Sequence, residues 1–325
     1  PRFAALGFAA YLTKPVRARE LLDCVQRVLA GDARQWQAES RPMITRNTLS
    51  EARTTQRLSG RVLVVEDNVV NQKVAARFLE RLGCSVRIAE HGEDGVTACL
   101  EERFDVVLMD LQMPVMDGLT ATRRIRELES GRRTPIIALT ANAMRGDQER
   151  CEAAGMDGFL TKPIEVERLN DILARFGMAR AAAQPESASE AALAAVIGAA
   201  PEPQPIIAPP IDLARVNEIT GDDPEFAQEL LMTFVASGET ELKEISAAIQ
   251  DADRDALARA AHKLKGACAN VYAHELRTIC QSLEMLATSA TVADLEMYNA
   301  QLQREFARTR DFLNSVLPAR TQVAS

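Results

Sequence analysis

The chain is 325 residues long, room for two or three ordinary domains, with 47% apolar residues and a formal net charge of −8. Aromatic residues are only 4%, too few for single-strand nucleic-acid stacking, and no Lys/Arg cluster is dense enough for a DNA footprint. No apolar run approaches the ~18 residues needed to cross a bilayer, and the six cysteines (Cys24, Cys84, Cys99, Cys151, Cys268 and Cys280) form no CxxC pair, which disfavours zinc and suits buried thiols in a reducing cytosol.

In chain order, residues 1–30 come first, opening at Pro1 without Met or a signal sequence, so the natural start is expected further upstream. Residues 31–60 and 179–210 have linker composition, the second rich in Ala, Pro and Glu with room for a short helix at 188–197. Between them lie five strand runs, 62–65, 85–89, 106–109, 135–139 and 158–161. They alternate with helical patterns at 71–82, 93–102, 120–130, 147–154 and 166–176. This predicts an α/β doubly wound, five-stranded parallel sheet over 61–178. Residues 211–318 show only helical periods, at 224–236, 239–249, 255–271, 274–287 and 292–317, predicting an all-α bundle and then a tail, 319–325. Asp223-Pro224 and Asp253 read as helix starts.

Open parallel sheets bind ligands at the carboxyl ends of their strands. Glu66-Asp67 follow the first strand and Asp110 ends the third, neighbours in a 2-1-3-4-5 order. Three carboxylates converging there demand a cation, and hard oxygen donors suggest Mg2+. Thr140 and Lys162, at the ends of strands four and five, add a hydroxyl and an ammonium to the same edge. The set suits phosphoryl transfer to Asp110 as nucleophile. Asp117-Gly118 reads as a turn without chemistry.

Val64-Val65-Glu66-Asp67-Asn68, Met109-Asp110-Leu111-Gln112-Met113-Pro114-Val115-Met116-Asp117-Gly118, Leu139-Thr140-Ala141 and Thr161-Lys162-Pro163 resemble the motifs of the response-regulator receiver family, in the version fused to hybrid sensor kinases. The resemblance implies that Glu66, Asp67, Asp110 and the Gln112 backbone carbonyl hold Mg2+, and that Asp110 is phosphorylated. It further implies that Thr140 and Lys162 bind phosphoryl oxygens, that Phe159 is the aromatic switch, and that the Lys162-Pro163 bond is cis. Ala141 would leave access for a donor, and Gln112 and Asn142 would tune hydrolysis.

In the helix at 255–271, Leu257, Ala261, Leu264, Cys268 and Val271 form a buried stripe. His262 lies about 140° from Leu257 at 100° per residue, so it is expected to be exposed, partly neutral and nucleophilic. Lys265 and Gly266 share its face, the lysine to neutralise phosphate and the glycine to admit a docking partner. His262-Lys263-Leu264-Lys265-Gly266 with Leu283-Glu284 resembles the histidine-containing phosphotransfer (HPt) family, which usually has a small residue, often Gly, where this chain has Tyr272. His274 reads as a cap or surface group, and His91 as a loop residue without a visible partner.

Leu12-Thr13-Lys14-Pro15-Val16 repeats Leu160-Thr161-Lys162-Pro163-Ile164, with Tyr11 matching Phe159, so residues 1–30 resemble the tail of a further receiver. The resemblances together imply the C-terminal part of a bacterial hybrid sensor histidine kinase. Phosphate would pass from an upstream kinase core to Asp110, to His262, and on to a downstream response-regulator receiver. The location would be cytoplasmic, with any membrane anchor upstream of Pro1. No ATP-binding core is apparent, so the chain is expected to transfer phosphate without autophosphorylating. Two alternatives are a phosphorylation-controlled binding module with His262 outside the relay, and a DNA-binding regulator; the second lacks a basic recognition helix.

Overall fold

A computed structural model describes residues 58–129, 131, 133–140, 145–176, 178–180 and 209–317. The expected N-terminal receiver tail, the helix at 188–197, Ala141 and Asn142 fall outside these residues.

Five strands form one parallel sheet: β1 (Arg61–Val65), β2 (Ser85–Ala89), β3 (Val106–Asp110), β4 (Ile136–Thr140) and β5 (Gly158–Thr161). Their order is β2-β1-β3-β4-β5, with every neighbouring pair parallel. The burial pattern explains that order. All five residues of β3 and β4 are buried, as are Val62–Val65 of β1, whereas β2 and β5 carry exposed or half-buried positions and take the edges. The helices α1 (Val69–Arg81), α2 (Gly92–Glu101), α3 (Gly118–Leu128) and α4 (Arg145–Ala154) cross between strands, and α5 (Val166–Arg175) follows β5. The first three start at polar caps: Asn68 accepts from the Val70 and Asn71 amides, His91 from Asp94, and Asp117 from Thr120. His91 is therefore a helix cap, which also sets its Nε2 3.3 Å from Asp94.

The second region is helical: α6 (Leu213–Thr220), α7 (Pro224–Gln250), α8 (Arg254–Asn270), α9 (His274–Leu286) and α10 (Val292–Val316). Leu230, Phe234, Leu257, Leu264, Cys268, Cys280, Leu283, Leu302 and Phe306 are all buried and make its core, with the Phe234 and Phe306 rings 5.9 Å apart. One expectation is corrected and one helix is added. Residues 224–250 form one helix where the pattern suggested two, because Gly238 does not break the chain; a Cβ there would lie 2.3 Å from Phe306, so the glycine admits the ring of α10. The helix α6, which the apolar periodicity does not mark, caps on Asp212 and ends at the left-handed Gly221.

Tyr272 has φ +56°, a left-handed conformation just past α8. That gives the physical reason for a glycine preference at this position, since any Cβ there is strained. His274 opens α9 and its ring meets Tyr272 edge-on at 6.4 Å. The five described cysteines form no disulfide among the described residues, and all but Cys99 are buried.

Candidate functional site

The register of the sheet brings the expected side chains to one edge. Val65 pairs with Met109, Asp110 with Leu139, and Thr140 with Thr161, so residues 66–67, 110, 140 and 162 share the carboxyl ends of four adjacent strands. One carboxylate oxygen from each of Glu66, Asp67 and Asp110 lies within 4.8 Å of the others. Lys162 Nζ stands 2.6 Å from Glu66 Oε2 and 2.7 Å from Asp110 Oδ2. Thr140 is buried beside them, and its carbonyl accepts from the Lys162 amide at 2.7 Å. The Lys162–Pro163 peptide is cis. The Gln112 backbone amide donates to Asp110 Oδ1 at 3.4 Å, and Phe159 is exposed on β5.

This edge is short of positive charge. Burial, then the Asp110 charge, pushes the Glu66 carboxyl up to about 8 and the Asp67 carboxyl up to about 6. Burial alone would lower the Lys162 ammonium, but Asp110 and Glu66 outweigh it and hold the group firmly protonated. Three converging carboxylates face one lysine. Hard oxygen donors at this spacing, two of them held back from ionising by burial and mutual repulsion, fit a divalent cation.

Several residues with no expected role in the site organise the edge. The Asn68 backbone N–H donates to Glu66 Oε1 at 3.3 Å, and Asn71 Nδ2 donates to the same oxygen at 2.8 Å. The Gln72 side-chain amide donates to the Glu66 carbonyl at 2.7 Å. Gly118, expected to be a plain turn residue, packs so tightly that a Cβ would lie 2.0 Å from the Asp110 carbonyl oxygen. Its backbone thus sets the position of the Asp110 peptide.

The helix bearing His262 docks on this edge. Asn68 Nδ2 donates to the Lys263 carbonyl at 3.1 Å, and Asn270 Nδ2 donates to Asn71 Oδ1 at 2.7 Å. Lys263, Gly266 and Asn270 recur at helical spacing, so one face of α8 meets α1. A Cβ on Gly266 would stand 3.1 Å from Asn71 Nδ2, so glycine allows the close approach. Lys263 forms a 3.0 Å ion pair with the buried Glu241 and draws the Asp67 carboxyl downward. Burial, against the pull of Lys263, pushes the Glu241 carboxyl up to about 7.

His262 is not openly exposed as expected. Its side chain is 15% accessible, because Glu284 and Lys265 close around it. His262 Nδ1 lies 2.8 Å from Glu284 Oε1 and 3.4 Å from Lys265 Nζ, and Lys265 pairs in turn with Glu284. Burial would raise the Glu284 carboxyl, but hydrogen bonds from His262 and Lys265 hold it below the usual range. The ionised Glu284 carboxylate can only accept, so the 2.8 Å bond takes the proton on Nδ1 and the lone pair of this tautomer sits on Nε2, while the Lys265 ammonium gives its proton to Glu284.

A twisted parallel sheet with an acid-lysine edge, and a bundle presenting a histidine beside it, define a class: phosphoacceptor and phosphotransfer domains. The comparisons with known proteins make the class specific. Residues 62–174 match the response regulator receiver domain and residues 229–312 match the Hpt domain. Sensor protein GacS of Pseudomonas syringae pv. syringae is 33% identical over 255 residues, covering 75% of this chain and 27% of the relative. The signal transduction histidine-protein kinase BarA of Shigella flexneri is 29% identical over 248 residues, covering 75% of this chain and 26% of the relative. Among solved structures, the receiver domain of sensor histidine kinase PA1611 from Pseudomonas aeruginosa PAO1, described with magnesium in its active-site cleft, is 47% identical. That match covers 36% of this chain and 97% of the other, with a TM-score of 0.35. The chain carries a receiver domain followed by an Hpt domain, the components of a phosphorelay, and in this it is similar to the sensor kinases GacS and BarA. It spans about a quarter of the length of these curated relatives.

Proposed function

We propose that Asp110 accepts a phosphoryl group and that His262 takes it over within the same chain. The observation that carries this reading is the docked pose, in which the α8 residue next to His262 bonds the residue next to Asp67.

In the first step a carboxylate oxygen of Asp110 attacks the phosphorus of a phosphohistidine on an incoming kinase. The P–N bond breaks, an acyl phosphate forms, and the departing imidazole takes up a proton. Lys162 and the Thr140 hydroxyl receive the phosphoryl oxygens, stabilising their charge. Glu66, Asp67 and Asp110, with the Gln112 carbonyl, would hold Mg2+, which when bound neutralises charge on the moving group. In the second step His262 Nε2 attacks the acyl phosphate, the P–O bond breaks, and the Asp110 carboxylate is regenerated. Glu284 keeps the Nδ1 proton in place and so keeps the lone pair on Nε2, and Lys265 offsets the arriving negative charge. Phe159 is the candidate reporter of phosphorylation, being an exposed aromatic on the strand that leads to Lys162.

By the same reading the donor is a histidine kinase core and the acceptor of the His262 phosphate is another receiver. The setting is cytoplasmic; among the described residues no helix is long and apolar enough to cross a membrane. Incubating the full chain with phosphorylated kinase core and Mg2+ tests the route. Acid-labile, base-stable label should appear on His262 and disappear in both Asp110→Asn and His262→Gln variants. Label reaching His262 at the wild-type rate in Asp110→Asn would refute the intermediate.

A further inference from the structure

Away from the acidic edge, α1 carries Lys73, Arg77 and Arg81, spaced four residues apart and so stacked along one face. Each meets the elbow between α6 and α7. Lys73 pairs with Glu229, and Arg77 pairs with Asp223 Oδ2 while its guanidinium lies 5.1 Å from the centre of the Phe226 ring. Arg81 lies over Gly221, where a Cβ would stand 2.6 Å from its Nη1. Asp223 serves twice, since its Oδ1 caps α7 by accepting the Phe226 amide at 3.1 Å. Gly221, Asp223 and Phe226 all precede residue 229, where the Hpt match begins.

We propose that this elbow is a docking clamp that reads the basic stripe on a receiver's first helix, and that it matches this chain's Hpt domain to its own receiver. The inference rests on the Asp110-to-His262 reading but concerns a different surface. The contacts at Asn68, Asn71 and Asn270 are polar and neutral, so they bring the domains close without distinguishing one charge pattern from another. The elbow supplies that distinction. It offers two carboxylates and an aromatic face at the pitch of an i, i+4, i+8 cationic stripe, with a glycine leaving room for the third cation. The partner it fits is a receiver with Lys or Arg at those three positions. One with acidic residues there meets like charge at Asp223 and Glu229.

The test uses the full chain, loaded at Asp110 from acetyl phosphate with Mg2+ and followed by rapid quench for label on His262. Lys73→Glu should slow the internal transfer roughly three- to tenfold, because an attraction becomes a repulsion. Adding Glu229→Lys should return the rate to within about twofold of wild type. Asp223→Asn retains the cap on α7 but removes the charge facing Arg77, and should cost roughly two- to fivefold. Raising salt from about 50 to about 500 mM should slow wild type more than the Asp223→Asn variant. Loading of Asp110 should stay unchanged throughout. If the wild type transfers phosphate to His262 but the charge swap restores nothing, the clamp is refuted while the relay stands. If the wild type never labels His262, the relay reading itself falls, and the clamp with it.

Discussion

Replacing Asn71 by alanine separates two effects that the structure joins in one side chain. Its Nδ2 holds Glu66 Oε1 at 2.8 Å and its Oδ1 receives Asn270 Nδ2 at 2.7 Å, with both asparagines buried. Loss of the first bond removes a buried hydrogen bond worth about 0.5–1.5 kcal/mol, and the receiver bears that loss whether docked or not. Loss of the second strands the Asn270 amide, about 1–3 kcal/mol, and only in the docked state. Transfer from Asp110 to His262 should therefore fall roughly five- to 150-fold in Asn71→Ala. Asn270→Ala should lower transfer similarly by stranding the Asn71 oxygen, but leave Asp110 loading at the wild-type rate. In the double variant neither amide is stranded, so the combined loss should be smaller than the sum by about 1 kcal/mol. Rapid-quench measurement of base-stable label on His262 gives all four rates. Additivity within about 0.3 kcal/mol, or undiminished transfer in Asn71→Ala, would refute this account of Asn71.

The same geometry sets four further expectations. Because Glu66 and Asp67 titrate near 8 and 6, Mg2+ must displace protons to bind, and its calorimetric affinity should rise from pH 6 to about pH 8 and then level; a flat profile sinks the metal assignment. The sign for stability is opposite in the ion-free chain. Folded Glu66 keeps a proton that the unfolded chain has released above about 4.5, so stability should fall as pH rises from there to about 8, and Mg2+ should recover it. Gly118→Ala should abolish Asp110 loading and lower the receiver melting temperature, since the added methyl meets the Asp110 carbonyl. Tyr272→Asn should unfold at higher denaturant than Tyr272→Val by about 1 kcal/mol, because a β-branched residue tolerates the left-handed backbone worst; equal midpoints would remove strain as the explanation.

What the sequence made legible was whatever depends on neighbours along the chain. The receiver strands announce themselves as apolar runs, and once a parallel sheet is inferred, topology forces Glu66, Asp67, Asp110, Thr140 and Lys162 to one edge. Periodicity alone failed at Gly238, where helix breaking and close packing make the same demand for a missing side chain, and only the Phe306 ring distinguishes them. It also misjudged His262. A helical wheel records direction relative to one helix, whereas burial there comes from Glu284 on α9. Asn71 and Asn270 were invisible for a deeper reason: they are 199 positions apart and carry no charge or motif, so nothing local marks them as partners.

The docked pose also constrains the fate of phosphate on His262. Lys263, Gly266 and Asn270 are occupied by the chain's own receiver, and Glu284 and Lys265 close the other side of the imidazole. A second receiver approaching His262 over the α8 face that meets α1 must first displace the resident one. On the proposed route, internal transfer and onward transfer would compete for one surface, and strengthening the docked state should speed the first while slowing the second. The Gly266→Leu variant examines this directly. Its side chain cannot fit against Asn71, so internal transfer from Asp110 should drop more than about tenfold. His262 phosphorylated from phosphoramidate should remain stable on that variant, and Asp110 should no longer drain it in the reverse direction. Rapid reverse transfer from Gly266→Leu would show that phosphate passes through a pose other than this one.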